Sequence, residues 1–277
     1  MFFKSIEIYN PYILIIGIIL LIVIALYICC KDAVKSYKTF YITYGGPDSN
    51  YHDAVNRITK EVDDIQVFDH ILGYTDLDLK ADHEFWGQHS DFCENSNWFG
   101  GGFGCWIWKP YLIMKTMQQM DYGDVIVYTD AGCTIKSEKS DDKKRDMLKL
   151  LDLCREREIL FTSTFQPEKY YSKMDLIKHF GMENRPDILN STQYQGGVLF
   201  IKKTYHTMRF VTEWYDTMCI YHLGDGNSSK YTKDLPEYKG SRNDQSVFSL
   251  LAKKYGYTEA NMMEQHDPIL ISRRRGG

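Results

Sequence analysis

The chain has 277 residues, enough for one large domain or two small ones. Hydrophobic residues make up 44% and charged residues 25%, which is ordinary globular usage and excludes a disordered tail protein. Acidic residues outnumber basic ones by 37 to 33, and this net charge of −4 argues against a nucleic-acid binder that depends on phosphate contacts. The mean hydropathy of −0.39 excludes a protein with many membrane spans.

The N-terminal segment differs in composition from the rest. No charged residue occurs from Pro11 to Cys30, and a helix of that length rises about 30 Å, the thickness of a bilayer core. The apolar core of a signal peptide is shorter, about 7–15 residues. We therefore expect an uncleaved transmembrane anchor over 11–30, after a short segment 1–10 and before a stalk over 31–38. A cleaved signal peptide is the alternative.

The side of the membrane that holds the C-terminal domain stays open. Lys31, Lys35 and Lys38 follow the apolar run, and this positive charge favours a cytosolic domain. Two glycosylation sequons, which begin at Asn190 and Asn227, together with a type II anchor, favour a lumenal one. The cysteines after residue 30 are odd in number and form no CxxC or zinc pattern, so they do not decide between the two.

Strand-like and helix-like segments alternate from residue 39 onward. The predicted strands are Phe40–Tyr44, Gln66–Phe68, Val125–Tyr128, Ile159–Thr162 and Val198–Ile201. The predicted helices are Tyr51–Asp64, Pro110–Met120, Lys143–Arg157, Tyr205–Tyr221 and Asp244–Tyr255. This alternation predicts an α/β domain over 39–277 with a mainly parallel sheet and flanking helices.

Ligands of open α/β sheets bind beyond the carboxyl ends of the strands, which directs attention to the residues after each strand. Asp130 follows the strand VIVY and is placed to contact a divalent cation or a ribose, although a turn-capping aspartate is the alternative. Upstream, a glycine-rich segment with Trp106, Trp108 and Lys109 opens onto a helix, a pattern that suits an anion such as phosphate.

Three further groups are candidates. Gly196 and Gly197 precede the strand VLFI and allow close approach of a substrate, or form a bulge. Asp244 and Gln245 begin a helix, where Asp244 has a helix N-cap as its alternative role. His266 is a candidate ligand for a metal or a phosphate, although a single histidine is more often structural.

The order of these motifs resembles a GT-A glycosyltransferase. The segments Cys-Trp-Ile-Trp-Lys-Pro-Tyr and Tyr-Thr-Asp-Ala-Gly-Cys are most similar to a group of sugar transferases from bacteria and large DNA viruses. A more distant resemblance is to retaining galactosyl- and glucosyltransferases with Asp-x-Asp and Asp-Gln motifs. The resemblance runs from about Phe40 to about Arg275, and it implies a Rossmann-like GT-A fold and a nucleotide-sugar donor.

The resemblance also implies roles for individual residues. Donor-binding residues would be Tyr44, Gly45, Lys109, Asp130, Gly196 and Gly197. Asp244 and Gln245 would act near the anomeric carbon, and Asp130 and His266 would ligate Mn²⁺ or Mg²⁺. One departure matters, because Gly132 stands where the family has its second aspartate. A hard cation prefers oxygen ligands, so metal dependence stays open.

The sequence thus predicts a membrane-anchored glycosyltransferase that retains the anomeric configuration. It would move a sugar from a nucleotide-sugar donor to a glycan, protein or lipid acceptor. The alternative is a catalytically inactive GT-A-like membrane protein that binds a nucleotide sugar or a glycan, and Gly132 is its best support.

Overall fold

The computed structural model describes residues 15–22, 37–95, 102–135, 142–260 and 269–271. Internal contacts divide the chain into two units, Met1–Ser36 and Tyr37–Gly277. In the first unit, residues 15–22 are helical with exposed side chains. Within the described ranges, no helix is both long enough and apolar enough to cross a bilayer. The predicted anchor over 11–30 lies mostly outside those ranges.

The second unit contains a five-stranded central sheet and two small two-stranded sheets. Its strands are β1 (Thr39–Gly45), β2 (His70–Thr75), β3 (Val125–Asp130), β4 (Cys133–Ile135), β5 (Ile159–Leu160), β6 (Ser163–Pro167), β7 (Thr192–Tyr194), β8 (Val198–Lys202) and β9 (Ile269–Ile271). The central sheet has the order β2-β1-β3-β8-β5, while β4 pairs with β9 and β6 pairs with β7.

The central sheet is mostly parallel, as the sequence predicts. β1 runs parallel to both β2 and β3, and its Tyr44 lies opposite Tyr74 on one side and Asp130 on the other. β8 is antiparallel to both β3 and β5. The amino end of β8 therefore meets the carboxyl ends of β1 and β3 at one edge of the sheet.

Helices cover both faces of this sheet. They are α1 (Ser49–Asp64), α2 (Asp76–Ala81), α3 (His83–Glu94), α4 (Trp108–Gln119), α5 (Lys143–Arg157), α6 (Glu168–Tyr171), α7 (Met174–His179), α8 (Pro186–Leu189), α9 (Tyr205–Cys219), α10 (Tyr221–Gly224) and α11 (Asp244–Lys254). A 3-10 helix over Phe103–Trp106 precedes α4.

Alternate residues of the strands supply two hydrophobic cores, as expected for strands buried on both faces. In β3, Ile126 and Tyr128 pack in the core with α3, α4, α9 and α11. Val125 and Val127 point the other way and pack with α1 and α5. Burial on both faces fixes the register of β3, and it thereby fixes the position of Asp130 at the strand's end.

The predicted second strand over Gln66–Phe68 is wrong. Gln66 adopts a positive φ of 51° just after α1, and β2 begins only at His70. β2 is an edge strand, and it contains Gly73, where a Cβ would lie 2.6 Å from the Val55 side chain of α1. The glycine allows α1 to pack closely on β2. Because glycine is untypical of strand interiors, it also weakens the sequence pattern by which this strand would be predicted.

Candidate functional site

A cleft opens at the carboxyl edge of the sheet, between the ends of β1 and β3. The chain leaves β1 through α1 on one face, reaches β2, and returns to β3 through helices on the other face. The direction of winding therefore reverses between β1 and β3. Open α/β sheets bind ligands in the crevice at such a reversal.

The first part of the cleft, the aromatic lobe, has a volume of about 520 Å³. Tyr44 at the end of β1 stacks on Trp108, with 3.8 Å between the ring centroids. Phe103 lies nearly parallel to Tyr44 at 6.5 Å. Tyr51 and Trp106 also line this lobe. Because Tyr44 and Trp108 are buried against each other, the rings open to a ligand are those of the half-buried Tyr51, Phe103 and Trp106, which suit stacking with a nucleobase.

The second part, the polar lobe, has a volume of about 860 Å³. It shares Trp106, Asp130 and Gly132 with the aromatic lobe, so the two form one continuous cleft. Most of its remaining lining side chains carry amide, hydroxyl or guanidinium groups: Thr164, Gln166, Gln195, Ser241, Arg242, Asn243 and Gln245.

Lys109 lies in the wall of the polar lobe, and its residue surface is 3% exposed. Its Nζ is 2.7 Å from Oδ2 of Asp244 and 3.4 Å from Oδ1 of Asp130. The same ammonium donates to the carbonyl oxygen of Gly196 at 3.2 Å. One buried cation therefore connects the end of β3, the turn before β8 and the start of α11.

Burial and neighbouring charges shift the pKa values of Lys109 and Asp244 in opposite directions. Burial raises the pKa of Asp244 to about 6, although the Lys109 ammonium opposes the shift. Burial lowers the pKa of Lys109, but the charges of Asp130 and Asp244 outweigh it, so the net shift is upward and the ammonium stays protonated. Asp244 thus titrates close to neutral pH beside a permanent cation.

Asp130 is the more accessible carboxylate of the cluster, with 49% of its side chain exposed. Its backbone N–H donates to the carbonyl of Gly197 at 2.8 Å, and its Oδ1 accepts from the Tyr128 hydroxyl at 2.7 Å. A Cβ on Gly197 would lie 3.0 Å from Asp130 Oδ2. The absence of a side chain at Gly197 therefore leaves the space that the Asp130 carboxylate occupies.

Gln245 belongs to a second hydrogen-bond network, next to the cluster of Lys109, Asp130 and Asp244. Its Nε2 donates to Oε1 of Gln193 at 2.8 Å. Gln193 is fully buried, and its Oε1 also accepts from Arg242 at 3.2 Å. Its Nε2 donates to the buried carboxylate of Glu168 at 3.3 Å. Gln193 thus sets the orientation of both Gln245 and Arg242.

Two strained stretches of backbone border the cleft. Gly104, Cys105 and Trp106 all have positive φ, at 58°, 46° and 63°. Asn243, just before α11, has a φ of 51°, and its side chain donates to the carbonyl of Gly224 at 3.1 Å. Strain of this type persists where surrounding structure enforces it, and it concentrates at functional sites.

The structure brings most of the predicted site residues to this edge. Lys109, Asp130, Gly196, Gly197, Asp244 and Gln245 all line the polar lobe, and Tyr44 lines the aromatic lobe. Their roles in donor binding and catalysis stay predictions.

The alternative role of Asp244 as a helix N-cap is excluded, because Asn243 is the N-cap residue of α11 and Asp244 is its first helical residue. Gly45 ends β1 between Tyr44 and Gly46, which line the aromatic lobe, and a Cβ there would lie 2.5 Å from the carbonyl oxygen of Tyr51, so this glycine allows α1 to pack on β1. Its role in donor binding stays a prediction.

The predicted metal site is incomplete in the described part of the chain. His266 lies outside it, and Gly132 supplies no carboxylate. No group of three His, Cys, Asp or Glu side chains suited to a metal comes together among the described residues. Asp130 also has an ammonium 3.4 Å away. These residues by themselves do not fit a divalent cation, which prefers several oxygen ligands.

Sequence reasoning missed three residues of the site. Tyr128 supports Asp130 from two positions earlier in β3, on the same face of the strand, which is a usable signal. Gln193 lies in the segment that leads to the glycine pair, but nothing in the sequence marks it as buried. Phe165 lines the polar lobe and has no motif around it.

No protein-family model matches the sequence, and no curated protein matches it. Among solved structures, the chain is similar to the bifunctional glycosyltransferase WbbM in its apo form, at 12% identity and a TM-score of 0.41. The similarity covers 82% of this chain and 38% of the WbbM chain, so this chain spans well under half of that protein's length.

Proposed function

We propose that this chain is a glycosyltransferase that takes a sugar from a nucleotide-sugar donor. The observation that carries the proposal is the cluster of Lys109, Asp130 and Asp244 in the polar lobe, beside the point where this lobe meets the aromatic lobe. A nucleotide sugar likewise has a flat base at one end and a polyhydroxylated ring at the other.

The donor fits the cleft in one direction. The base stacks among the half-buried rings of the aromatic lobe, Tyr51, Phe103 and Trp106. The ribose hydroxyls lie within reach of the exposed Asp130 carboxylate at the junction. The sugar then enters the polar lobe beside Gly196, where a Cβ would lie 3.5 Å from Asp244 Oδ2.

In the transfer step, the bond from the anomeric carbon to the diphosphate oxygen breaks, and its electron pair leaves with the phosphate. The acceptor hydroxyl oxygen bonds to the anomeric carbon, and its proton passes to the leaving phosphate oxygen, which corresponds to retention. The Asp244 carboxylate stabilises the positive charge that develops on the sugar. Lys109 holds that carboxylate in place, because its ammonium is committed to Asp244 and Asp130.

Whether the proposed donor binding requires Mn²⁺ or Mg²⁺ is a question for experiment. The described residues offer one exposed carboxylate, Asp130, and a bound diphosphate would supply further oxygens. Donor binding measured with Mn²⁺ and with a chelator decides whether the protein needs a cation.

One observation favours a binding protein without turnover. Lys109 is already neutralised by two carboxylates, and Gly132 adds no acidic group, so the leaving phosphate has no free cation among the described lining residues other than Arg242. Such a protein binds nucleotide sugars without cleaving them. Release of nucleoside diphosphate from a panel of nucleotide sugars separates the two functions.

We further propose that residues 11–30 anchor the protein in a membrane, on the basis of the uncharged run. A chain truncated to begin at Lys31 is then recovered from cells without detergent, whereas the full chain needs it. Both sequon asparagines, Asn190 and Asn227, are exposed. A mobility shift on endoglycosidase treatment therefore indicates that the domain lies in the lumen. The absence of a shift, together with sensitivity to protease added from the cytosolic side, indicates that it lies in the cytosol.

The first test of the proposed function is a titration of the full-length protein with the common nucleoside diphosphates. Tryptophan fluorescence reports on binding, since Trp106 and Trp108 line the aromatic lobe. We expect saturable quenching by at least one nucleoside diphosphate. A folded protein that binds none of them would overturn the proposal.

A further inference from the structure

We propose that the polar lobe binds its acceptor as a sugar, the terminal residue of a glycan, whose ring stacks on Phe165. This inference rests on the proposed function, because it assigns the acceptor of the same cleft. It starts from one side chain that the chemistry above does not use.

Phe165 is 98% exposed, although it belongs to strand β6 and lines the same lobe as Asp244. β6 pairs with β7 at Ser163 with Tyr194 and at Pro167 with Thr192, and the register between these pairs is irregular. Phe165 lies in the irregular stretch. Irregular pairing beside an active site redirects a side chain, which here leaves an aromatic ring uncovered in a ligand cleft.

The backbone on either side of Phe165 is fixed. The Gln166 N–H donates to Oγ1 of Thr164 at 3.1 Å, and the Thr164 hydroxyl donates to the carbonyl of Gln166 at 3.3 Å. These bonds close a local turn around the phenylalanine. The ring is therefore carried on an ordered support, which lowers the entropic cost of using it as a contact surface.

Polar groups of the same lobe are also held in fixed positions. Gln195 donates its backbone N–H to Thr162 at 2.8 Å and its side-chain amide to the carbonyl of Ser163 at 3.1 Å. The Arg242 guanidinium lies 3.6 Å from the centroid of the Tyr171 ring. Amide and guanidinium groups of this kind bond to hydroxyls, and they stand in the same lobe as the exposed ring.

This combination favours a sugar over a lipid acceptor. A lipid chain needs a continuous apolar surface, but the polar lobe offers the rings of Phe165 and Trp106 among amide and hydroxyl side chains. A sugar ring has an apolar C–H face and an equatorial rim of hydroxyls. An exposed aromatic face in a lobe lined by hydrogen-bonding groups matches both features.

The test measures sugar binding and donor cleavage separately, on the full-length protein in detergent. Binding is scored on an array of mono- and oligosaccharides in the presence of a nucleoside diphosphate. The variants are Phe165→Ala, Phe165→Trp as a conservative rescue, and Tyr205→Ala as a control for an exposed aromatic residue outside the cleft. Donor cleavage is scored as release of nucleoside diphosphate with water as the acceptor.

We expect the wild-type protein to bind a subset of the sugars and Phe165→Ala to bind them about tenfold more weakly. Phe165→Trp and Tyr205→Ala retain binding, and Tyr205→Ala cleaves donor at the wild-type rate. Wild-type protein that binds no sugar on the array overturns the inference, as does sugar binding by Phe165→Ala that equals that of the wild type. Failure to cleave any donor counts against the proposed function alone, because array binding is scored independently.

Discussion

The Nζ of Lys109, in the first turn of α4, lies 2.7 Å from Oδ2 of Asp244, the first residue of α11. Both side chains are almost completely buried, and Asp130 approaches the same ammonium from the end of β3. A buried cation between two carboxylates keeps Asp244 partly charged in a place where burial alone would neutralise it.

Removal of the cation should destabilise the protein in a pH-dependent way. In Lys109→Met, the buried Asp244 carboxylate loses its partner, which typically costs about 3–5 kcal/mol. The cost applies while Asp244 is ionised, above its pKa of about 6. We therefore expect the melting temperature to fall much further below wild type at pH 7.5 than at pH 5.

The matched control is Lys254→Met, which breaks a partly exposed pair with Glu213. This variant should cost under about 1 kcal/mol at either pH. Equal losses of Lys109→Met at the two pH values would contradict the coupling of Lys109 to Asp244.

Activity should depend on the charge of Asp244. Its pKa of about 6 exceeds the ordinary 3.8, so kcat for donor cleavage falls as the pH drops through about 6 and the carboxylate takes up a proton. The effect on folding has the opposite sign. Because the folded state holds this proton more tightly, the group contributes stability below pH 4 that is lost as the pH rises to about 6.

A pH–rate profile of kcat measures the first effect, and denaturant midpoints from pH 3.5 to 7 measure the second. Asp244→Asn should remove this acid limb from whatever activity is left. An acid limb that persists unchanged in Asp244→Asn would assign the titration to another group.

Asp130 should contribute to donor binding. Asp130→Ala removes a half-exposed carboxylate at the junction of the two lobes, and we expect a loss of about 1–3 kcal/mol in nucleoside diphosphate affinity. Calorimetric titrations with Mn²⁺ and with a chelator separate a loss of affinity that depends on a cation from one that does not. A loss confined to the Mn²⁺ arm indicates a bridging cation, and an equal loss in both arms indicates direct contact with the ribose.

The control for that titration is Asp187→Ala, which removes an exposed carboxylate paired with Arg185 outside the cleft. It should leave affinity unchanged. Wild-type affinity of Asp130→Ala in both arms would exclude Asp130 from the donor site.

The glycine pair offers a matched comparison. A Cβ at Gly197 lies 3.0 Å from Asp130 Oδ2, so Gly197→Ala pushes this carboxylate aside, whereas a Cβ at Gly196 makes an ordinary 3.5 Å contact with Asp244. We expect Gly197→Ala to weaken nucleoside diphosphate binding and Gly196→Ala to leave it near wild type. Equal affinities of the two variants would show that Asp130 needs no such room.

Local patterns predicted much of the fold. The apolar run VIVY agrees with β3, because a strand buried on both faces is continuously apolar. The amphipathic segment Lys143–Arg157 agrees with α5, because a helix buried on one face has apolar residues at helical spacing. The edge strand β2 has half-exposed residues and Gly73, so it carries no such periodicity.

The site was predictable only in part. Asp130 was identified because it follows a strand and the carboxyl ends of parallel strands meet at one edge of a sheet, whereas the glycine pair was identified because small residues allow close approach of a substrate. Lys109 was expected to meet a phosphate, since a glycine-rich loop precedes its helix. Its pairing with Asp244 depends on how α4 packs against the distant α11, which no local pattern records.

The most direct test of the proposed catalysis is donor cleavage by the full-length protein and by Asp244→Asn, over a panel of nucleotide sugars. We expect the wild-type protein to release nucleoside diphosphate from at least one donor. We also expect kcat to fall about 100-fold in Asp244→Asn, with nucleoside diphosphate affinity and folding retained. Wild-type turnover by a folded Asp244→Asn protein, or no cleavage by a wild-type protein that binds the donor, would contradict the proposed catalysis.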